Sequence, residues 1–125
     1  MISIIDDDQS VREAVKSLIR SLGYDAVTFA SAEEYLGADC DRDSECIITD
    51  VQMPGMTGIA LHDRLIADGY QKPIIFMSAL SAEDTGADAS RTAASRFLKK
   101  PFGDERLIDC LDWALKDPAP NTRQS

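Results

Sequence analysis

The feature that most constrains the fold of this chain is a regular alternation of short apolar runs with stretches whose apolar residues have helical spacing. Five apolar runs are predicted to be β-strands: Ile2–Ile5, Ala26–Phe29, Cys46–Thr49, Pro73–Met77 and Arg96–Leu98. Parallel strands joined through a helix need a right-handed crossover that covers one face of the sheet. Repeated strand–helix units therefore predict an α/β fold, a doubly wound five-stranded parallel sheet flanked by five helices.

The helical stretches carry signals for where they begin and end. The first has six apolar residues spaced three or four apart, and Gly23 follows them, as glycine commonly does after a helix end. Ser31 with Glu34 has the form of a capping box before a short second helix. The other three helices are indicated by Leu61 and Leu65, by the segment Ala82–Ala94, and by Leu107, Cys110, Leu111, Ala114 and Leu115.

Length and charge exclude several classes of protein. A chain of 125 residues can bury a core without disulfides or a structural metal. With 13 Lys and Arg against 22 Asp and Glu, its formal net charge is -9, so we expect this domain to bind neither nucleic acid nor a membrane directly. Three cysteines without CxxC spacing and no secretory or membrane-spanning run favour the cytoplasm.

The domain boundary is predicted near the C-terminus. Apolar periodicity continues to about residue 116, whereas residues 117–125 contain two prolines and no such periodicity. We expect a single domain over residues 1–116, followed by a disordered tail or the start of a linker.

Polar side chains that can take part in metal binding or catalysis lie at the ends of the predicted strands. The first, third, fourth and fifth strands are followed by Asp6–Asp8, Asp50, Ser78 and Lys100. These ends converge on one crevice in a doubly wound sheet. Carboxylates gathered there repel one another unless a cation is present, and Mg²⁺ binds carboxylate and phosphate oxygens together. With Lys100 and Ser78 suited to phosphoryl oxygens, the set predicts a phosphoryl-transfer site in which Asp50 can serve as the nucleophile.

Four segments in order resemble the receiver domain of two-component response regulators. They are Ile-Ile-Asp-Asp-Asp, Thr-Asp-Val-Gln-Met-Pro-Gly-Met-Thr-Gly, Phe-Met-Ser-Ala and Phe-Leu-Lys-Lys-Pro-Phe, and the resemblance covers about residues 1–116. It implies a flavodoxin-like fold and a phosphorylation-dependent switch, not an enzyme acting on a metabolite. Its expected partners are a sensor histidine kinase or phosphotransfer protein and an effector domain or protein that controls an output such as transcription. The switching surface would comprise the fourth helix, fifth strand and fifth helix, through which the family commonly forms homodimers.

The resemblance also implies which residues bind the metal and the phosphoryl group. Asp50 matches the phospho-acceptor and, with Asp7 and the backbone carbonyl of Gln52, a ligand of Mg²⁺, for which Mn²⁺ can substitute. Asp6 matches the acidic neighbour that acts through water.

Three further residues match positions that respond to phosphorylation. Ser78 and Lys100 match the residues that contact the phosphoryl group, and Phe97 matches the aromatic switch position. Lys99 is the alternative to Lys100, but the family's lysine immediately precedes proline, here Pro101, and strand alternation points Lys99 the other way.

Two alternative functions remain open from the residues. A haloacid-dehalogenase-type phosphatase also uses an aspartate nucleophile with Mg²⁺, and its Asp-x-Asp motif would be Asp6 and Asp8. The second alternative is a receiver-like interaction module that is never phosphorylated. His62, on the predicted third helix, is expected to be a surface or half-buried residue and not a ligand.

Overall fold

A computed structural model describes residues 1–38, 44–70, 72–79 and 95–116 of the chain. Strands and helices alternate along it as β1 (Ile2–Ile5), α1 (Gln9–Ser21), β2 (Ala26–Phe29), α2 (Ala32–Ala38), β3 (Cys46–Asp50), α3 (Gly58–Ala67), β4 (Ile74–Ser78), β5 (Ser95–Lys99) and α4 (Asp104–Lys116). Helix α4 corresponds to the predicted fifth helix. The predicted fourth helix, within Ala82–Ala94, and the predicted tail lie outside the described residues.

The five strands form one parallel sheet in the order β2-β1-β3-β4-β5. The chain first winds outward to β2, returns past β1 and continues through β3, β4 and β5, so the sheet is doubly wound. The predicted α/β architecture is thereby confirmed. The change of winding direction lies between β1 and β3, and sheets of this kind form their binding crevice at the carboxyl ends of the strands beside that point.

The bounds of β1 and β2 match the prediction, whereas the other three strands differ at their ends. Asp50 and Ser78, predicted to follow β3 and β4, are the last residues of those strands. Both are buried, because central strands of a parallel sheet are covered on both faces. Both also remain paired with the neighbouring strand. β4 begins at Ile74, and Pro73, which has no N–H, contributes only its carbonyl to Ile47.

The sheet separates two layers of the core. On one face, Ile2, Ile4, Ile48 and Ile75 pack with residues of α1 and α4. On the other face, Ile5, Ile47, Ile74 and Phe76 pack with residues of α2 and α3. This alternation along each strand leaves the strand ends as the place where polar side chains can approach one another.

Side-chain caps fix the first helix close to the end of β1. The Asp8 carboxylate accepts hydrogen bonds from the backbone N–H groups of Ser10 (2.8 Å) and Val11 (3.4 Å). At the other end, Gly23 has φ +95°, the left-handed conformation that glycine adopts readily after a helix. One aspartate of the acidic run therefore caps α1, and the other two are available to the crevice.

The start of α2 follows the predicted capping box with one shift. Ser31 Oγ accepts the N–H of Glu34 at 3.0 Å, as expected. The Glu34 carboxylate reaches one residue further back than predicted and accepts the N–H of Ala30 at 2.7 Å. Both donors would otherwise lack a helical partner, so the first turn of α2 is held in a defined orientation.

The expectation that His62 is at the surface or half-buried was wrong, because this side chain is 3% exposed. Gly58, Leu61, His62 and Leu65 are the buried residues of α3 and have the i, i+3, i+4, i+7 spacing of one helix face. The imidazole ring lies 5.5 Å from the ring of Phe76 in β4. Its position in the stripe, and not its polarity, decides its burial.

Candidate functional site

Asp6 lies directly after β1 and is fully buried. Its backbone N–H donates to the carbonyl of Phe29 at 3.1 Å, which extends the pairing of β1 with β2 by one bond. One carboxylate oxygen of Asp6 accepts a hydrogen bond from the N–H of Asp8 at 2.9 Å. The backbone carbonyl of Asp6 accepts a hydrogen bond from Nη1 of Arg12 at 2.7 Å. The loop between β1 and α1 is therefore fixed by its own acidic side chains and by a guanidinium from the first helix.

Asp50 ends β3 and is 6% exposed. The next residue, Val51, donates its N–H to the carbonyl of Met77 at 2.8 Å and accepts the N–H of Gly58 at 2.9 Å. A Cβ at position 58 would overlap the carbonyl oxygen of Asp50. Glycine at the start of α3 therefore allows that helix to begin against the end of β3 and holds the Asp50 backbone in place.

Lys100 joins the two buried carboxylates. Its Nζ atom lies 2.9 Å from Oδ2 of Asp6 and 3.3 Å from Oδ1 of Asp50. Its backbone N–H donates to the carbonyl of Ser78 at 2.6 Å, and the peptide bond to Pro101 is cis. Lys100, not the exposed Lys99, makes these contacts.

The pKa values of the site reflect the balance of burial and charge. Burial first, and the neighbouring Asp6 second, raise the pKa of Asp50 from 3.8 to about 6, although Lys100 opposes this shift. Burial by itself works to lower the pKa of Lys100, but its contacts with Asp6 and Asp50 outweigh burial and raise that pKa. The single ammonium therefore compensates the two buried carboxylates only in part, and the crevice favours further positive charge.

A metal ion fits the acidic side of this crevice. Asp6, Asp7 and Asp50 each offer one carboxylate oxygen, and these atoms all lie within 4.8 Å of one another. All three are hard oxygen donors, and the exposed Asp7 opens the cluster to solvent. Gln52, the predicted carbonyl ligand, is exposed two residues after Asp50. The cluster could hold a divalent cation that keeps several of its waters.

Strand register places the two remaining predicted residues near this cluster. Asp50 pairs with Met77, so the buried Ser78 is one residue beyond Asp50 on the neighbouring strand. Phe97 on β5 pairs with Phe76 on β4. Its partly buried ring packs against the core layer covered by α2 and α3. The ion pairs thus unite Asp6, Asp50 and Lys100, and Asp7 lies within 4.8 Å of the two buried carboxylates. Ser78 is joined to Lys100 through its backbone carbonyl, and Phe97 lies nearby by its position in the sheet.

Two contacts near the site were not predicted. Arg12 reaches the carbonyl of Asp6, and Glu33 accepts the backbone N–H of Met56 at 2.9 Å in the loop after β3. The cation one turn into α1, after an acidic run, is a weak signal that could have indicated Arg12. No comparable signal marks Glu33, because its partner is 23 residues away.

Comparison with known proteins identifies the family. The family model described as the response regulator receiver domain matches residues 2–112. The chain is 37% identical over 112 residues to the transcriptional regulatory protein TdiR of Thauera aromatica, covering 90% of this chain and 49% of TdiR. It is 39% identical over 126 residues to the response regulator protein TodT of Pseudomonas putida, covering 100% of this chain and 55% of TodT.

A solved structure agrees with these relatives. The receiver domain of NtrX from Brucella abortus superposes with a TM-score of 0.83 at 28% identity, covering 94% of this chain and 99% of that domain. The chain therefore belongs to the response regulator receiver domain family, a family of signalling proteins, as its motifs indicated. It spans about half the length of the curated relatives it matches.

The family assignment rejects the phosphatase alternative. In that alternative Asp6 would be the nucleophile, whereas the family model that matches residues 2–112 is that of the receiver domain. None of the helices in the described part of the chain is long and apolar enough to span a membrane.

Proposed function

We propose that this receiver domain accepts a phosphoryl group on Asp50 from the phosphohistidine of a sensor histidine kinase or phosphotransfer protein. The observation that carries the proposal is the position of Asp50 between a lysine ammonium 3.3 Å away and two further carboxylates. A carboxylate oxygen of Asp50 would attack phosphorus while the P–N bond breaks and the partner's imidazole leaves. Asp50 lies at the end of β3, and with a pKa of about 6 its carboxylate is ionised and can act as a nucleophile at neutral pH.

The acidic residues would provide the place for Mg²⁺, or for Mn²⁺ as its substitute. Asp7, Asp50 and the backbone carbonyl of Gln52 would ligate the ion directly, and Asp6 would contact it through water. When bound, the ion supplies positive charge that offsets the phosphoryl oxygens and the crowded carboxylates. The fit rests on three carboxylate oxygens within 4.8 Å of one another.

Lys100 and Ser78 would respond to the new phosphoryl group. Lys100 already lies against Asp50 and can bind a phosphoryl oxygen as a point charge, while the hydroxyl of Ser78 can donate to another. Movement at Ser78 would let the ring of Phe97 repack, and because Phe has no hydroxyl this response works through packing alone. The phosphoryl group then shifts the equilibrium toward the switched conformation only to the extent that it makes more favourable contacts in that conformation than in the unswitched one.

The output surface and domain boundaries are part of the same proposal. We place the receiver at residues 1–116, with residues 117–125 as a tail or the start of a linker. The surface of the predicted fourth helix, β5 and α4 would control an effector and could support a homodimer. Transcription is the proposed output because TdiR is named a transcriptional regulatory protein. A reducing cytoplasm suits the free thiols of Cys46 and Cys110.

Phosphorylation by a small donor tests the proposal directly. Wild-type protein, Asp50→Asn and Asp6→Asn are incubated with acetyl phosphate and Mg²⁺, and intact mass and peptide mapping locate the added group. We expect one phosphoryl group on Asp50, its absence without Mg²⁺, and its loss in Asp50→Asn. A label that persists in Asp50→Asn would overturn the proposal. No label on wild type, together with no change in amide resonances on adding beryllofluoride and Mg²⁺, would favour the non-phosphorylated interaction module.

A further inference from the structure

The loop between β3 and α3, residues 51–57, connects the proposed phospho-acceptor to the third helix and contains the proposed carbonyl ligand. Its two ends are held by backbone hydrogen bonds, from Val51 to Met77 and from Gly58 to Val51. Such bonds fix where the loop starts and stops. They do not by themselves fix the direction of the peptide groups between, which include the carbonyl of Gln52.

A side chain from α2 holds this loop near its C-terminal end. Oε2 of Glu33 accepts the backbone N–H of Met56 at 2.9 Å. The preceding residue, Gly55, has φ +77°, and a Cβ there would lie 2.5 Å from the same carboxylate oxygen. The carboxylate thus lies against the loop where glycine both permits the backbone conformation and leaves room for the oxygen.

The first turn of α2 aims Glu33 at the loop. Ser31 and Glu34 form the caps of the helix, and the adjacent Ala32 and Tyr35 are fully buried. Glu33, exposed and without a part in the caps, is therefore carried on a fixed scaffold. Its pKa is lowered, because the N–H of Met56 stabilises the ionised carboxylate.

We propose that Glu33 is a positioning residue for the metal and phosphoryl site, which holds residues 51–57 so that the backbone carbonyl of Gln52 is presented to the cation. The inference rests on the function proposed for Asp50. Glu33 does not touch the site; it acts through the Met56 amide and the loop. Its removal allows the loop more conformations, and only a fraction of them keep the ligand in place.

The experiment compares three variants with wild type. Glu33→Ala removes the acceptor, Glu33→Gln keeps an acceptor oxygen but removes the charge, and Glu34→Gln removes a charge of the same sign from the neighbouring position. Hydrogen exchange at the Met56 amide is measured without metal, and the Mg²⁺ dissociation constant is measured from amide resonances. The first readout reports the contact itself, and the second reports its effect on the site.

In Glu33→Ala we expect faster exchange at Met56 and Mg²⁺ binding weakened by a factor of roughly 2 to 10, the range for one lost net hydrogen bond. Glu33→Gln should recover most of the affinity, and Glu34→Gln should leave it near that of wild type. Wild-type affinity in Glu33→Ala, or an equal loss in Glu34→Gln, would overturn the inference. Absence of Mg²⁺ binding by wild type would instead overturn the proposed function. The two failures are distinguishable, because exchange at the Met56 amide is measured without metal and reports only the contact with Glu33.

Discussion

Replacing Asp50 with asparagine is expected to stabilise the metal-free domain at neutral pH, even though Asp50 is the residue proposed to be phosphorylated. Its side chain is almost buried, and its pKa is raised from 3.8 to about 6, mainly by burial and then by Asp6. A carboxyl with a higher pKa in the folded chain binds its proton more tightly there, so loss of that proton favours unfolding. Asparagine keeps the shape without the charge, and Lys100 retains its 2.9 Å contact with Asp6.

The pH window of this effect follows from the two pKa values. Below 3.8 the carboxyl is neutral in both states and contributes nothing; stability then falls as pH rises to about 6, where the folded chain also ionises. A shift of about two pKa units corresponds to about 3 kcal/mol. Solvent at the mouth of the crevice reduces this, so we expect Asp50→Asn to gain about 1 to 3 kcal/mol near pH 7.5. The gain should be about half as large near pH 5.

Urea unfolding followed by circular dichroism, with a chelator present, measures this difference at both pH values. Asp7→Asn is the control, because it removes a carboxylate of the same cluster from an exposed position and should stabilise the domain less. The reasoning is refuted if Asp50→Asn is less stable than wild type near pH 7.5, or if its advantage is the same at both pH values.

Three further predictions concern the same crevice. Lys100→Met leaves the carboxylates of Asp6 and Asp50 without their ammonium, so the free energy of unfolding near neutral pH should fall by about 2 to 4 kcal/mol; an unchanged urea midpoint would contradict this. Gly58→Ala forces a Cβ into the Asp50 carbonyl and should destabilise by about 2 kcal/mol and slow labelling by acetyl phosphate. As its control, Gly37→Ala, whose Cβ meets nothing within 4 Å, should instead stabilise slightly in the same urea unfolding assay. Mg²⁺ at about ten times its dissociation constant should stabilise wild type by about 1.4 kcal/mol, and this gain should shrink in Asp50→Asn.

Local patterns in the sequence were sufficient to place most of the elements. β1 and β2 have the predicted bounds, and α1 ends before Gly23 as expected, because apolar spacing and end signals are encoded in contiguous residues. The meeting of Asp6, Asp50 and Lys100 was also predictable, since parallel strands carry their ends to one edge of the sheet. The motifs containing these residues further identified the family, which the comparisons confirm.

The tertiary structure alone decided how those residues are held and charged. The bond from Met56 to Glu33 joins residues 23 apart, and the contact of Lys100 with Asp6 joins residues 94 apart, so the partner and distance of each depend on packing. The raised pKa of Asp50 likewise requires the burial and neighbours that only the assembled crevice supplies. Sequence determined which chemical groups reach this edge of the sheet because periodicity is local. Their contacts and ionisation depend on three-dimensional packing, because electrostatic and hydrogen-bond energies vary with distance and solvent exclusion.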